Sequence, residues 1–272
     1  MGKILVTGAT GNVGSHVVSR LAEAGLDVRA FARRPERAPA GVEAVQGDLR
    51  APESLEPALK DVESVFLLWP GFSVGNAEEV VEAVARHARR VVYLSANVPG
   101  ADDTHYAAIE RLIRRTPLNW TFLRPGGFAV NTLGWAEQIR QGVVRWPYGQ
   151  ASRALIHEKD IAAVAVHALT SAGHNGAAYH LTGPAELTQI EQVRTIGEVV
   201  GREVRWAEQP IEEAREQLLA AWGEPAFVEQ ALTAWGSFVA APERAVDTVQ
   251  RLLGRPALTF RQWAEDHAAD FR

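Results

Sequence analysis

Cysteine does not occur in the 272 residues, which excludes disulfides, thiolate metal ligands and cysteine nucleophiles together. An excess of positive charge is also missing. The formal net charge is −5 and the basic runs are no longer than the pairs Arg33-Arg34 and Arg89-Arg90, so nucleic acid is not expected as a partner. No stretch reaches the ~20 apolar residues of a membrane span, and the run Ile4-Leu5-Val6 is too short for the core of a signal peptide. A cytoplasmic protein with no membrane partner is expected. The eight histidines include no His-x-x-x-His pair and join no carboxylate cluster, so no metal is expected. Internal repeats and low-complexity linkers are absent too.

What is present is a large apolar fraction, 47% of the residues, enough for a substantial core. Over the first 125 residues short apolar runs alternate with amphipathic segments, the pattern of βαβ units and a parallel sheet. Strands are expected at Lys3–Thr7, Asp27–Ala32, Glu43–Gln46, Ser64–Leu68, Val91–Ser95 and Trp120–Arg124. In several of them the apolar residues run without alternation, as in strands covered on both faces. Helices are expected at Asn12–Ala24, Ala51–Leu59, Asn76–Ala88 and Thr104–Arg115. Further on, Arg153–Ile156 and Ala177–Leu181 look like strands around a helix at Asp160–Ser171. From Thr188 the chain reads as mostly helix, with one short strand near Val204–Ala207. This divides the chain into a nucleotide-binding domain over 1–150 and a mixed segment over 151–272. The second segment would complete the sheet and form a small C-terminal substrate lobe of one continuous fold.

Thr7-Gly8-Ala9-Thr10-Gly11-Asn12-Val13-Gly14 follows the first strand and opens the first helix, the context that gives a glycine triplet meaning. Gly8 permits the sharp turn, Gly11 lets a pyrophosphate approach the backbone, and Gly14 allows close packing of helix on sheet. The helix N-terminus offers N–H groups and partial positive charge to phosphates. This reads as a Rossmann-type, doubly wound α/β fold that binds a dinucleotide through Gly8, Thr10, Gly11, Asn12, Val13 and Gly14. Beyond the second strand, where an NAD site places Asp or Glu for the ribose 2′-OH, the chain has Arg33 and Arg34. Guanidinium suits a 2′-phosphate, so NADP(H) is favoured over NAD(H).

Other strand ends add candidates. Asp48 in Gly47-Asp48-Leu49 would either reach the adenine or cap the next helix, with Leu49 beside it. Leu68, Trp69, Ser95, Pro125 and Gly127 would border the cofactor, while Pro70, Asn97, Phe128, Asn131 and Trp135 would line an aromatic substrate pocket. For Trp135, Trp146 and Trp206 a place in the packing seam is the favoured alternative. Likewise Glu158 or Asp160 is expected to support a helix start, near His157.

The ordered combination of Ile4–Gly14, Gly47-Asp48-Leu49, Phe122-Leu123-Arg124-Pro125-Gly126-Gly127-Phe128 and Ile156–Ala162 resembles the NmrA-like branch of the atypical short-chain dehydrogenase/reductases. That branch includes NADPH-dependent quinone and triphenylmethane dye reductases. The resemblance runs to Thr259–Ala264 in the expected final helix. The better-known members use Tyr-x-x-x-Lys, in which lysine lowers the tyrosine's pKa. Here the segment reads His105-Tyr106-Ala107-Ala108-Ile109-Glu110, and a carboxylate in the lysine's place is expected to raise the tyrosine. Tyr106 and His105 remain the candidates for binding or protonating an acceptor. The resemblance implies a reductase that transfers hydride to a small aromatic or quinone-like acceptor, as a monomer or homodimer. A non-catalytic NADP(H) sensor and a non-redox epimerase or cyclase are the alternatives.

Overall fold

The computed structural model describes residues 2–71, 73–97 and 104–272. The chain begins with β1 (Lys3–Thr7), α1 (Gly14–Glu23), β2 (Val28–Ala32), β3 (Glu43–Gln46), β4 (Val62–Leu68), α2 (Ala77–His87), β5 (Arg90–Leu94), α3 (His105–Arg114) and β6 (Asn119–Pro125). It continues through α4 (Ala136–Arg140), β7 (Val143–Trp146), β8 (Ser152–Arg153), α5 (Glu158–Thr170), β9 (Ala177–Leu181), β10 (Leu187–Thr188) and α6 (Gln189–Val200). The last elements are β11 (Arg205–Glu208), α7 (Ile211–Trp222), α8 (Pro225–Ala240), α9 (Thr248–Leu253) and α10 (Phe260–Asp266).

Two compact units result. The first takes the chain up to Gly126, Glu158–Leu181 and Thr248–Arg255, and the second takes Gly127–His157, Thr182–Asp247 and Pro256–Arg272. In the first unit seven parallel strands form one sheet in the order β3-β2-β1-β4-β5-β6-β9. The order reverses between β1 and β4, which opens a crevice beyond the strands' C-terminal ends. Residues of the central strands are apolar on both faces because helices cover both. Ile4, Leu5 and Val6 of β1 and Val65, Phe66 and Leu67 of β4 are all buried. Phe122 stacks on Trp120 at 4.3 Å and meets Tyr93 edge-on at 6.1 Å. Buried Arg29 donates through Nε to Glu43 Oε1 at 2.8 Å and through Nη1 to the carbonyls of Ala58 and Lys60, so its charge is paired and these donors are satisfied.

In the second unit β7 pairs in parallel with β11, and β8 pairs antiparallel with β10. Helices α6 and α10 both begin with a capping box, Thr188 with Glu191 and Thr259 with Gln262. Fully buried Trp263 stacks on Phe260 at 5.2 Å and on His267 at 4.7 Å.

Three local expectations need correction. The helix expected over Ala51–Leu59 is two short 3₁₀ turns, Pro52–Ser54 and Glu56–Leu59. Pro57 explains this, because it lacks an N–H and its ring conflicts with the carbonyl four residues back. The strand expected over Arg153–Ile156 pairs only at Ser152–Arg153, with a lone bridge from Ile156 to Phe128. Strand β7 was not expected, since Val143–Trp146 has too short an apolar pattern to show outside its pairing with β11.

A Cβ on Gly47 would fall 2.3 Å from the Phe31 ring and 2.9 Å from Ser54 Oγ. Gly47→Ala is therefore expected to destabilise the protein by about 1–3 kcal/mol, the usual range for overpacking. Urea denaturation would show this as a lower midpoint at unchanged slope.

Candidate functional site

The glycine loop is built as its residue types require. Gly8 has φ +61°, a left-handed conformation open to glycine at no steric cost. A Cβ on Gly14 would lie 2.2 Å from the Gly8 carbonyl oxygen, so only glycine lets α1 start this close to β1. The Gly11 N–H donates to that same carbonyl at 2.9 Å. Gly11 thus spends its own amide on the turn. The amides of Thr10, Asn12 and Val13 have no acceptor among the described residues. No side chain caps α1 and its first turn holds no acidic residue, so the partial positive charge there is uncompensated. The base of the loop is pinned to β4 by the Leu68 N–H, which donates to Thr7 Oγ1 at 2.8 Å.

Past β2, Arg33 and Arg34 are both exposed and neither forms an ion pair among the described residues, although the charge of Arg33 reaches Asp48 at longer range. Asp48 differs. Its carboxylate accepts from Arg50 Nη2 at 2.6 Å and from the Arg50 amide at 3.0 Å, and these bonds hold its pKa below the usual carboxylate value. The carboxylate is thus engaged by Arg50, and the 3₁₀ turn that follows takes no side-chain cap. Leu49 is buried in the core, and its carbonyl accepts from Asn76 Nδ2 at 2.8 Å.

Leu68 lies over Gly8, 3.3 Å from where a Cβ would stand. Trp69 belongs to the core, with its indole donating to the Ser73 carbonyl at 2.8 Å, and Pro70 is half-buried beside it. The Asn97 amide donates to the Pro125 carbonyl at 2.8 Å, and Asn97 Nδ2 donates to His180 Nε2 at 3.0 Å. All these residues belong to the first unit, and the strand ends that carry them lie at one edge of the sheet.

Ser95, Glu110, Arg114 and Arg124 form a network that the sequence reading missed. Glu110, 3% exposed, accepts from Ser95 Oγ at 2.7 Å, from Arg124 Nε at 2.8 Å and again from Arg124 Nη2, and from Arg114 Nη2 at 3.0 Å. Burial works to raise the pKa of this carboxyl, but the bonds from Arg124 and Ser95 bring it below the usual value. Glu110 is therefore ionised. The residue spacing held a signal: Glu110 and Arg114 stand at i, i+4 on α3. Nothing in the spacing ties Arg124 to them.

The half-buried Tyr106 lies one turn before Glu110, with its ring centroid 3.9 Å from that of His105. Tyr106 does have a raised pKa, but burial causes it and the charge of Glu110 does not contribute. The expected cause is corrected accordingly, since two guanidiniums compensate that carboxylate. Burial also lowers His105, so both side chains are neutral at pH 7.

The remaining candidates belong to the second unit. The Gly127 amide donates to Glu243 Oε2 at 3.3 Å, and a Cβ there would fall 2.3 Å from Leu155 Cδ2. Phe128 is half-buried and Asn131 exposed. Trp135 is a core residue that meets Trp206 edge-on at 5.9 Å, as the packing alternative had it. His157 donates to Asp266 Oδ2 at 3.0 Å. Among the described residues, no group of three or more His, Asp or Glu side chains could hold a metal ion, and no helix is long and apolar enough to cross a membrane.

A dinucleotide fits the first unit on these observations: a backbone cradle that a Cβ would fill, amides without acceptors, and exposed guanidiniums in no ion pair. Comparison with known proteins agrees. Residues 8–172 match a family model described as NAD(P)H-binding. The chain is 41% identical to the (4-alkanoyl-5-oxo-2,5-dihydrofuran-3-yl)methyl phosphate reductase of Streptomyces griseus, covering 98% of this chain and 99% of that one. It is 34% identical to the NAD(P)H azoreductase of Xenophilus azovorans, again over 98% and 99%. Among solved structures, an NADPH-dependent quinone oxidoreductase of Escherichia coli superposes with TM-score 0.77 at 25% identity, over 99% of this chain and 100% of that one.

Two variants check the cradle. Gly14→Ala is expected to weaken NADPH binding at least tenfold in a fluorescence titration, because the loop must move off the Gly8 carbonyl. The double change Arg33→Ala with Arg34→Ala is expected to weaken NADPH about tenfold and NADH less than twofold, about 1.4 kcal/mol of 2′-phosphate recognition.

Proposed function

Since this chain belongs to the NAD(P)H-binding family and is an NAD(P)H-dependent oxidoreductase, we propose that it is a cytoplasmic NADPH-dependent reductase whose acceptor is a flat, conjugated, electron-poor small molecule. The cradle between Gly8 and Gly14 is the observation that carries this reading. Amides of Thr10, Asn12 and Val13 would hold the diphosphate, and Arg33 and Arg34 the 2′-phosphate. When bound, the reduced nicotinamide supplies a hydride.

The acceptor class follows from two lines. The relatives are named for reducing an unsaturated lactone phosphate, an azo compound and a quinone. Each of these is a conjugated system that can take a hydride without prior protonation. The site supports the same chemistry, because no lysine stands beside Tyr106 to activate it. Strong acid catalysis is dispensable when the acceptor is itself electron-poor, and orientation with exclusion of water supplies the rate. The reductase names disfavour a sensor or a non-redox enzyme.

Purified protein with NADPH should be offered a quinone, an azo dye, a cationic triphenylmethane dye and an alkanoyl-butenolide phosphate. Loss of the reduced-nicotinamide absorbance with at least one acceptor is the expected result, whereas consumption no faster than without protein overturns the assignment. The pH profile gives a second check. Burial raises Tyr106 above its ordinary value, so its phenol stays protonated across the physiological range. No inflection from Tyr106 is expected below about pH 10, and Tyr106→Phe should lower kcat by less than about tenfold, short of the roughly hundredfold or more that a general acid contributes.

A further inference from the structure

The place of the missing lysine is not electrically empty. Glu110 carries one negative charge and faces two guanidiniums, Arg124 and Arg114, so the cluster retains one net positive charge. The two arginines are arranged differently. Arg114 lies over the Trp120 and Phe122 rings at 5.0 and 4.7 Å and ends α3. Arg124 stands two residues beyond Phe122 on the same face of β6, at the strand's C-terminal end. It grips Glu110 through Nε and Nη2 only. Its Nη1 has no acceptor among the described residues, and its side chain is 36% exposed. Ser95 fixes the same carboxylate from the end of β5. Glu110 is thus held from two neighbouring strand ends, at the sheet edge where open α/β folds bind ligands.

We propose that Arg124 is a catalytic residue that binds an acceptor oxygen through Nη1, and that Glu110 is the positioning residue that aims it. The proposal rests on the reductase reading above. Hydride added to a quinone or a conjugated carbonyl forms a C–H bond and moves an electron pair onto the acceptor oxygen. NADPH is oxidised to NADP⁺, and the oxyanion takes its proton from solvent. A fixed donor at that oxygen stabilises the charge as it develops. Because Arg114 shares the Glu110 carboxylate, the charge of Arg124 is only partly cancelled toward the ligand side.

The test uses para-nitrophenolate, a flat oxyanion whose absorbance shifts on binding, added to the full-length protein with NADP⁺. Arg124→Gln should weaken its binding at least tenfold, while the NADPH dissociation constant, read by fluorescence, changes less than threefold. Arg124→Lys keeps the charge but loses the planar fork, and should fall between the two. It also guards against a glutamine variant that fails to fold. Glu110→Gln separates aiming from charge. It makes the cluster more positive, so a purely electrostatic role predicts tighter phenolate binding, whereas a positioning role predicts weaker binding and a lower kcat at unchanged KM for NADPH. Phenolate affinity within twofold of the parent in both Arg124 variants would overturn the proposal, as would tighter binding in Glu110→Gln. Absence of turnover by the parent protein with every acceptor would instead count against the reductase reading, and the phenolate titration would still decide the role of Arg124.

Discussion

A single backbone approach organises the nucleotide-binding edge: the Gly8 carbonyl occupies the space that any side chain on Gly14 would need. That oxygen also accepts the Gly11 N–H, so one atom closes the turn and seats the helix. With Thr7 Oγ1 tied to the Leu68 amide, the loop is fixed to both β1 and β4, the strands at which the sheet order reverses. The helix then starts without a capping side chain and without a carboxylate in its first turn. In a protein with no ligand to bind there, an uncapped start would be a defect worth about 1 kcal/mol. Here it leaves donors available.

Charge at the same edge is sorted by whether a partner is present. Arg50 is neutralised by Asp48, whereas Arg33 and Arg34 are exposed and form no ion pair among the described residues, Arg33 acting on Asp48 only at longer range. Exposed ion pairs contribute little to stability, so pairing matters less for holding the fold than for deciding which cations remain to meet a phosphate. Asp48 illustrates the sorting. A carboxylate so near the second strand's end would repel a 2′-phosphate, and Arg50 cancels it.

Much of this was legible in the residue order. The strands of the parallel sheet could be placed within a residue or two, because most of them are buried on both faces and apolar runs of that kind survive without tertiary information; the edge strand β3, largely exposed, was placed by its short run between turn residues. The glycine positions were legible for the same reason, since each answers a local steric demand. Long-range pairings were not. Strand β7 depends on β11, about sixty residues later, and the short turns around Pro57 depend on where one ring falls within an otherwise helical pattern. Trp69 read as a cofactor border by its strand end, and Trp135 as a pocket candidate with a place in the packing seam as the favoured alternative; each is held in its own unit's core, as large aromatic side chains commonly are. Ser95 was read as bordering the cofactor by its strand end, and its hydroxyl proton goes to Glu110, a partner identifiable only once α3 lies over β5 and β6.

Glu110 also shows why one substitution cannot simply be exchanged for the familiar residue. A buried carboxylate is tolerable only when its charge and lone pairs are satisfied, and Ser95, Arg114 and Arg124 together do that. Lysine at the same place would set an ammonium against two guanidiniums and leave all three cations without a counter-ion in a half-buried space. The arginines therefore presuppose the glutamate as much as it presupposes them. A chain with this trio has given up tyrosine activation by a neighbouring amine, which fits the proposed acceptors, electron-poor molecules that need no strong acid.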